Sequence, residues 1–425
     1  MREQLALLGG QPAVTTSYPA YPLIDAEEVC AATRVVMSRS LSEVGRGPYV
    51  GELEDALAAY FGVPYVLSSS SGTAAIHSAL FAVGVKPGDE VLTANHNWIS
   101  AIMAIFHAGA VPVLCDVSDG GFSLDPDEIR RKVTPNTKAV IATHLWGLPA
   151  DMDGILAVAK EFGLPVIEDV SHAHGGKYHG QFFGTIGDIG CFSLQGSKAM
   201  VAGEGGFLIT NNERYYQRAI IPGSHTCRLG REMILDELTP FNAAGGMWTY
   251  RMHPVAAAIA TAQLAKLPGM NAARQANFNR LAARIADIPF ITWPEIPADS
   301  VRGWYGTPAF YCSEKANGIS RDRFVRACQA EGAGLQGEGY CDWSQIPLLH
   351  DMALLSQLVT VKHANGVEFT PATAGAFPHN EAIRQQMLLF SIPAVESPQL
   401  IDQVADALHK VADQLDAVQE YQPAG

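Results

Sequence analysis

From Pro64 to Thr210 the chain alternates short apolar runs with longer stretches whose apolar residues recur at helical spacing. The short runs Tyr65–Leu67, Glu90–Thr93, Val111–Val117, Ala139–Thr143 and Pro165–Val170 predict strands. Between them, Thr73–Val85, Trp98–Ala108, Pro126–Lys132 and Met152–Phe162 predict helices. Strands that are apolar on both faces and joined by helices predict a mostly parallel sheet, an α/β architecture. A last apolar pair, Ile189–Phe192 and Phe207–Thr210, flanks a polar turn that carries Lys198. In such sheets ligands collect at the carboxyl ends of the strands, so chemistry is expected just after each one.

Beyond that hairpin the pattern changes. Pro254–Leu267 predicts an alanine-rich helix that resumes through Arg274–Ile288 after a break at Pro268-Gly269. A strand at Thr307–Cys312, a helix at Arg321–Glu331 and a last helix at Pro398–Ala417 predict a smaller α+β domain. Residues before Gly45 carry little core of their own and predict an N-terminal arm. The expected division is an arm over 1–45, a large domain over 46–270 and a small domain over 271–425.

Composition narrows the function without naming it. The 425 residues are 48% apolar and 17% charged, as in an ordinary globular protein. A net charge of −14 argues against a nucleic-acid surface, and the one basic trio, Arg130-Arg131-Lys132, reads as a solvated helix face. Seven cysteines, an odd number without paired spacing, fit a reducing cytoplasm. The longest apolar region, Ile99–Cys115, is interrupted by His107, Gly109 and Pro112, so no membrane span is expected.

The strand ends carry the chemistry. After the first strand, Ser68-Ser69-Ser70-Ser71-Gly72-Thr73 leads into a helix, which serves either as an N-cap or as a phosphate cradle. After the second comes Trp98, a ring that either packs or stacks on a flat heteroaromatic. Pro165-Val166-Ile167 runs into Glu168-Asp169-Val170-Ser171-His172-Ala173-His174, where a buried carboxylate needs a partner such as a protonated pyridine nitrogen. An acid/base pair and a metal site on His172 and His174 are the competing readings, but no third ligand has a telling spacing, and no metal is expected. Lys198, five residues after Ser193 and held between two apolar strands, is poorly solvated and pushed toward the neutral amine that condenses with an aldehyde. Anion loop, flat ring, strand-end acid and desolvated lysine together fit pyridoxal 5′-phosphate.

At these residues the chain resembles the DegT/StrS group of sugar and cyclitol aminotransferases, in the aspartate-aminotransferase superfamily. The matching stretches are Leu7-Leu8-Gly9-Gly10, Gly47–Glu54, Ser71–Ala75, Gly88–Val91, His144-Leu145-Trp146-Gly147, Glu168-Asp169 and the Lys198 turn. The resemblance implies pyridoxal-phosphate fold type I. It also implies that Lys198 holds the cofactor's aldehyde, Asp169 keeps its ring nitrogen protonated, and His172 meets its phenolic oxygen. Trp98 would stack on the ring, while Ser71, Gly72, Thr73 and Ser193 would bind the phosphate. Gln195 lies in a stretch like that of the subgroup using glutamine to aminate keto-cyclitols. Glutamine or glutamate would donate, with pyridoxamine phosphate carrying the amino group to a keto-sugar or keto-cyclitol. Dehydration or aromatisation on the same fold, or a non-catalytic regulator, are the alternatives; a histidine replaces the lysine in the group's dehydratases.

The group is also expected to form homodimers with shared sites. Its usual Asn-Tyr-Arg segment, which reaches the neighbouring subunit's phosphate, is Thr249-Tyr250-Arg251 here. The Ser/Thr-Glu that normally follows is His253-Pro254.

Overall fold

The computed structural model describes residues 3–243, 248–337, 339–340, 342–373 and 375–421. Its first strands are β1 (Tyr65–Ser69), β2 (Glu90–Ala94), β3 (Val111–Cys115), β4 (Thr137–Thr143) and β5 (Val166–Asp169). A short ribbon follows, β6 (Lys177–Tyr178) and β7 (Gln181–Phe182), and then β8 (Ile189–Ser193) and β9 (Gly206–Thr210). Seven of these make one sheet in the order β1-β9-β8-β5-β4-β2-β3, in which β9 alone runs against its neighbours. The apolar runs predict these strands well because the sheet is covered on both faces. Leu53, Leu57, Phe192 and Phe207 fill one face, while Ile76, Leu80, Ile105 and Leu208 fill the other.

Local signals set the helix ends. Ser71 caps the Gly72–Val83 helix, its side chain accepting from the Ala74 amide at 3.1 Å. Gly84 closes it at φ 96°, a left-handed conformation that favours glycine. The result places Ser71-Gly72, Trp98, Asp169 and Ser193 at one edge of the sheet.

A second, antiparallel sheet follows from β10 (Ile291–Thr292), β11 (Thr307–Tyr311), β12 (Leu335–Gln336) and β13 (Met387–Phe390), ordered β10-β11-β13-β12. Its core is built on Phe324, Leu400 and Leu408, and Leu5 from the far N-terminus belongs to it.

Three expectations change. The helix expected to break at Pro268-Gly269 is continuous from Pro254 to Arg284. An internal proline costs roughly 3 kcal/mol, yet Leu264, Leu267, Met270 and Leu281 are all buried along this helix. Burying a side chain of this size stabilises by about 1.5–3 kcal/mol, so packing outweighs the proline. The arm contains a true helix, Ala26–Ser38, opened by a capping box of Asp25 and Glu28. Glu28 is buried and meets Lys266 at 2.8 Å, which fastens this helix to the long one. The final helix stops at Ala412, and a separate turn of helix spans Leu415–Glu420.

Six cysteines are free thiols, and the seventh, Cys341, lies outside the described residues. No helix among the described residues is long and apolar enough to cross a membrane.

Candidate active site

The strand-end residues converge on a cavity of about 350 Å³, whose lining includes Gly72, Thr73, Trp98, Asp169, His172, Ser193 and Lys198. Ser71, Gln195, Glu204, Tyr305 and Tyr340 also line it. Residues separated by more than a hundred positions meet here because parallel strands end at the same edge.

At one end, the Gly72–Val83 helix presents its N-terminus. Ser71 is both cap and wall, so capping the helix does not take the serine loop out of the cavity. The cap satisfies the Ala74 amide, which leaves the Gly72 and Thr73 amides, without intrahelical acceptors, toward the cavity. Thr73 Oγ1 donates to Ser100 Oγ at 2.9 Å. A Cβ on Gly72 would stand 2.8 Å from the Ser193 Cβ, so only glycine lets this helix come so close to β8. Amides, hydroxyls and a helix N-terminus form a cradle suited to a phosphate.

Asp169 ends β5 and is buried, accepting from the Ser171 amide at 3.0 Å. Burial raises its pKa, the Ser171 hydrogen bonds and the positive charge of Lys198 opposing the rise. Among the described residues it has no ion-pair partner, which marks the place of a cationic ligand atom. Its neighbour Glu168 is consumed structurally: it accepts from His144 Nε2 at 2.9 Å and from the Gly184, Ile186 and Gly187 amides. The strand thus turns one carboxylate inward to brace the fold and the other toward the cavity.

Lys198 sits in a turn closed by its own amide on the Gln195 carbonyl, at 2.9 Å, and is 8% exposed. Its Nζ lies 4.0 Å from the centre of the Tyr305 ring. Burial lowers its pKa, with Tyr305 and Asp169 opposing. The same proximity holds the Tyr305 hydroxyl below its usual range, against the upward push of burial.

His172 lines the cavity with both ring nitrogens engaged. The Trp146 amide donates to its Nδ1 at 3.4 Å, so in the neutral ring Nε2 carries the proton and faces Tyr340 Oη at 2.9 Å. Burial pushes its pKa well below 6.5, with Lys198 adding to the effect, and keeps it neutral. Its hydrogen bonding is met within the chain, and its ring stacks on Tyr305 at 4.0 Å.

Trp98 does not pack inward: it is 47% exposed at the cavity mouth, 5.4 Å from Tyr340. Gln195 folds onto its own turn, its Oε1 accepting from the Ser197 amide and hydroxyl. Thr249 stands apart from this cavity and is exposed. The adjoining Tyr250 holds its own chain, its carbonyl accepting from the Ser70 amide and its hydroxyl meeting His77 Nδ1 at 2.9 Å. His253-Pro254 has a local explanation. His253 caps the long helix through the Val255 amide and Pro254 occupies its first position, where the missing N–H costs nothing.

Tyr305 is the residue that sequence reasoning missed, since it lies in an irregular glycine-flanked segment with no periodicity to mark it. Tyr340 enters the site, and Trp343 Nε1 anchors the same segment by donating to the Asn97 carbonyl. Trp248 stays outside the cavity, half exposed and stacked on Tyr250 at 6.4 Å.

Residues 22–348 match the DegT/DnrJ/EryC1/StrS aminotransferase family. A protein of Micromonospora echinospora, provisionally named an L-glutamine:3-amino-2,3-dideoxy-scyllo-inosose aminotransferase, is 30% identical over 99% of this chain and 100% of its own. The solved structure of an aminotransferase from Psychrobacter cryohalolentis superposes with a TM-score of 0.81 at 24% identity, over 94% of this chain and 100% of that one. The E. coli GDP-4-keto-6-deoxy-D-mannose-3-dehydratase, solved with bound hydrated pyridoxal phosphate, gives 0.76 at 21%, over 92% and 99%.

Proposed function

The chain belongs to the DegT/DnrJ/EryC1/StrS aminotransferase family, and on that premise we propose that its cavity transfers the amino group of glutamine to a keto-cyclitol. It is a transaminase of fold type I whose cofactor is pyridoxal 5′-phosphate. The observation that carries the site assignment is the buried, unpaired Asp169 facing the same cavity as the desolvated Lys198. The cofactor, when bound, supplies an aldehyde for amine exchange and a protonated ring that takes up electron density.

The chain's residues do the rest. Asp169 holds the proton on the ring nitrogen, which supplies the positive charge that its burial demands. Gly72, Thr73 and Ser193 anchor the phosphate through amides and hydroxyls. Lys198, favoured as a neutral amine, would take the proton from the donor's Cα and return it to the carbon on the other side of the bridging nitrogen. Trp98 covers the mouth and limits water.

The acceptor assignment rests on the lining. Among the described residues the wall carries Lys198 and the neutral His172 as bases and Asp169 and Glu204 as acids, while Asn97, Ser100, Ser171, Gln195, Ser197 and Tyr340 offer hydrogen bonds. Such a wall suits a neutral polyhydroxylated ketone, in keeping with the name of the Micromonospora relative. We also assign the chain to a homodimer, in which the exposed Thr249 serves the partner's phosphate cradle.

Mixing the yellow holoprotein with glutamine tests the reading. The visible absorbance should bleach and return on adding a keto-cyclitol. Persistence of the colour with both glutamine and glutamate would overturn it.

A further inference from the structure

Tyr305 touches both the reactive lysine and His172, and the chain commits several unusual features to holding it there. Its segment is bracketed by Gly303 and Gly306. A Cβ on Gly303 would stand 2.3 Å from the Ala173 Cα, and Gly306 adopts φ 71°. The buried Arg302 has no carboxylate partner among the described residues. It donates instead to the carbonyls of Gly303, Trp146 and Gly306. Trp146 itself is left-handed at φ 56°, a costly conformation for so large a side chain. Its ring lies nearly parallel to that of Tyr305, with 7° between the planes. Close approach, buried clamp and strained turn all serve one position.

Around the Tyr305 hydroxyl the contacts form one line. The Trp146 amide donates to His172 Nδ1, and His172 Nε2 meets Tyr340 Oη at 2.9 Å. Ser197 Oγ lies 3.4 Å from the Tyr305 hydroxyl, which Tyr340 also reaches. Lys198 Nζ sits over the same ring, within reach of that hydroxyl. Burial keeps the nearby histidines neutral, pushing His172 well below 6.5 and His174 to about 3. Asp169 faces Lys198 from β5, and Glu204 lines the same wall. From the arm, Tyr21 donates to the Lys198 carbonyl and stacks on Arg274 of the long helix. Burial raises Tyr21 and Tyr340 above the usual tyrosine range. It raises Tyr305 too, yet there the Lys198 charge and the hydrogen bonds prevail and leave that hydroxyl below the range.

Lys198 has to change protonation during amino transfer, since only its neutral amine takes up a proton and it then holds one too many. We propose that Tyr305 is a further catalytic residue, the proton partner that resets Lys198. In the exchange, Lys198 ammonium and Tyr305 phenolate become Lys198 amine and Tyr305 hydroxyl. One N–H bond breaks and leaves its electron pair on Nζ, one O–H bond forms from a phenolate lone pair, and no third reactant enters. Hydrogen bonds from Ser197 and Tyr340 stabilise the phenolate while the ammonium stands beside it. His172, its tautomer fixed by the Trp146 amide, orients the Tyr340 hydroxyl. The inference rests on the transaminase reading and adds how the lysine recovers its neutral form in a dry cavity.

Tyr305→Phe tests this, because the ring stays against His172 and only the hydroxyl goes. In the cofactor-free protein, reductive methylation of Lys198 across pH, followed by peptide mass spectrometry, reads its protonation. The hydroxyl favours the ammonium, so its loss should move the Lys198 midpoint to lower pH. In the holoenzyme, bleaching by saturating glutamine should slow by about tenfold or more. The lysine thus becomes easier to modify while transfer slows, a split that a merely structural loss would not produce. Cofactor retention after dialysis should stay at the wild-type level, since the phosphate cradle is untouched. An unchanged midpoint, a bleaching rate within about twofold of wild type, or loss of the cofactor would overturn the proposal. A wild type that glutamine and glutamate both leave yellow rejects the transaminase, whereas a shifted midpoint in that same protein keeps the pairing of Tyr305 with Lys198.

Discussion

Asp169 and Lys198 set each other's charge. Each is buried, each is disfavoured as an ion by that burial, and each stabilises the other's charged form. The sign of the Asp169 effect follows from linkage. Its folded pKa lies above its unfolded value of 3.8, so the stability that it contributes is present below that value and lost as pH rises through the folded pKa. Burial therefore makes ionised Asp169 costly in the cofactor-free protein, a cost that a cationic cofactor atom would relieve. Asp169→Asn should raise the thermal midpoint of the cofactor-free protein at pH 7, and the gain should vanish toward pH 3. Cofactor retention, followed by the visible absorbance after dialysis, should fall at the same time. A lower midpoint at pH 7 without cofactor would contradict that cost. The residue types at this scale were legible in sequence, because a strand-end acid and a lysine between apolar strands both stand out. Tyr305 was not, since nothing local distinguishes it from a packing aromatic.

Among the elements, the long helix Pro254–Arg284 shows where local signals lose. Pro268-Gly269 predicts a break, but buried side chains on both sides hold the helix straight through. Gly269 has open space where a Cβ would go and no left-handed backbone requirement. Gly269→Ala should therefore stabilise the protein by roughly 0.5–1 kcal/mol, read as a higher urea midpoint with unchanged slope. Gly72→Ala is the opposite case: its Cβ would press on Ser193 and part the Gly72–Val83 helix from β8. It should lose phosphate and cofactor affinity while the chain still folds. The two glycines look alike in sequence, and only the surroundings separate them.

For the whole molecule, the exposed apolar residues bear on assembly. Val29, Val36 and Met37 stand out from the Ala26–Ser38 helix, and Trp248, next to Thr249, is half exposed. Met37 alone is 77% exposed. Such a surface is expected to be covered by a second copy. Sedimentation equilibrium should give about twice the 45.5 kDa chain mass, and Thr249→Ala should weaken cofactor retention by a few-fold, less than Asp169→Asn. A monomer with full activity would refute the shared site.

By itself the sequence determined the mostly parallel sheet and the residues at the strand ends. Apolar periodicity acts over a few residues and needs no partner to be read. Tertiary structure alone decided that Glu168 braces the fold while Asp169 faces the cavity, and that Tyr340 occupies the His172 ring nitrogen. Each depends on which long-range neighbour supplies or withholds a charge or hydrogen bond, and burial then fixes the cost of that neighbour's absence.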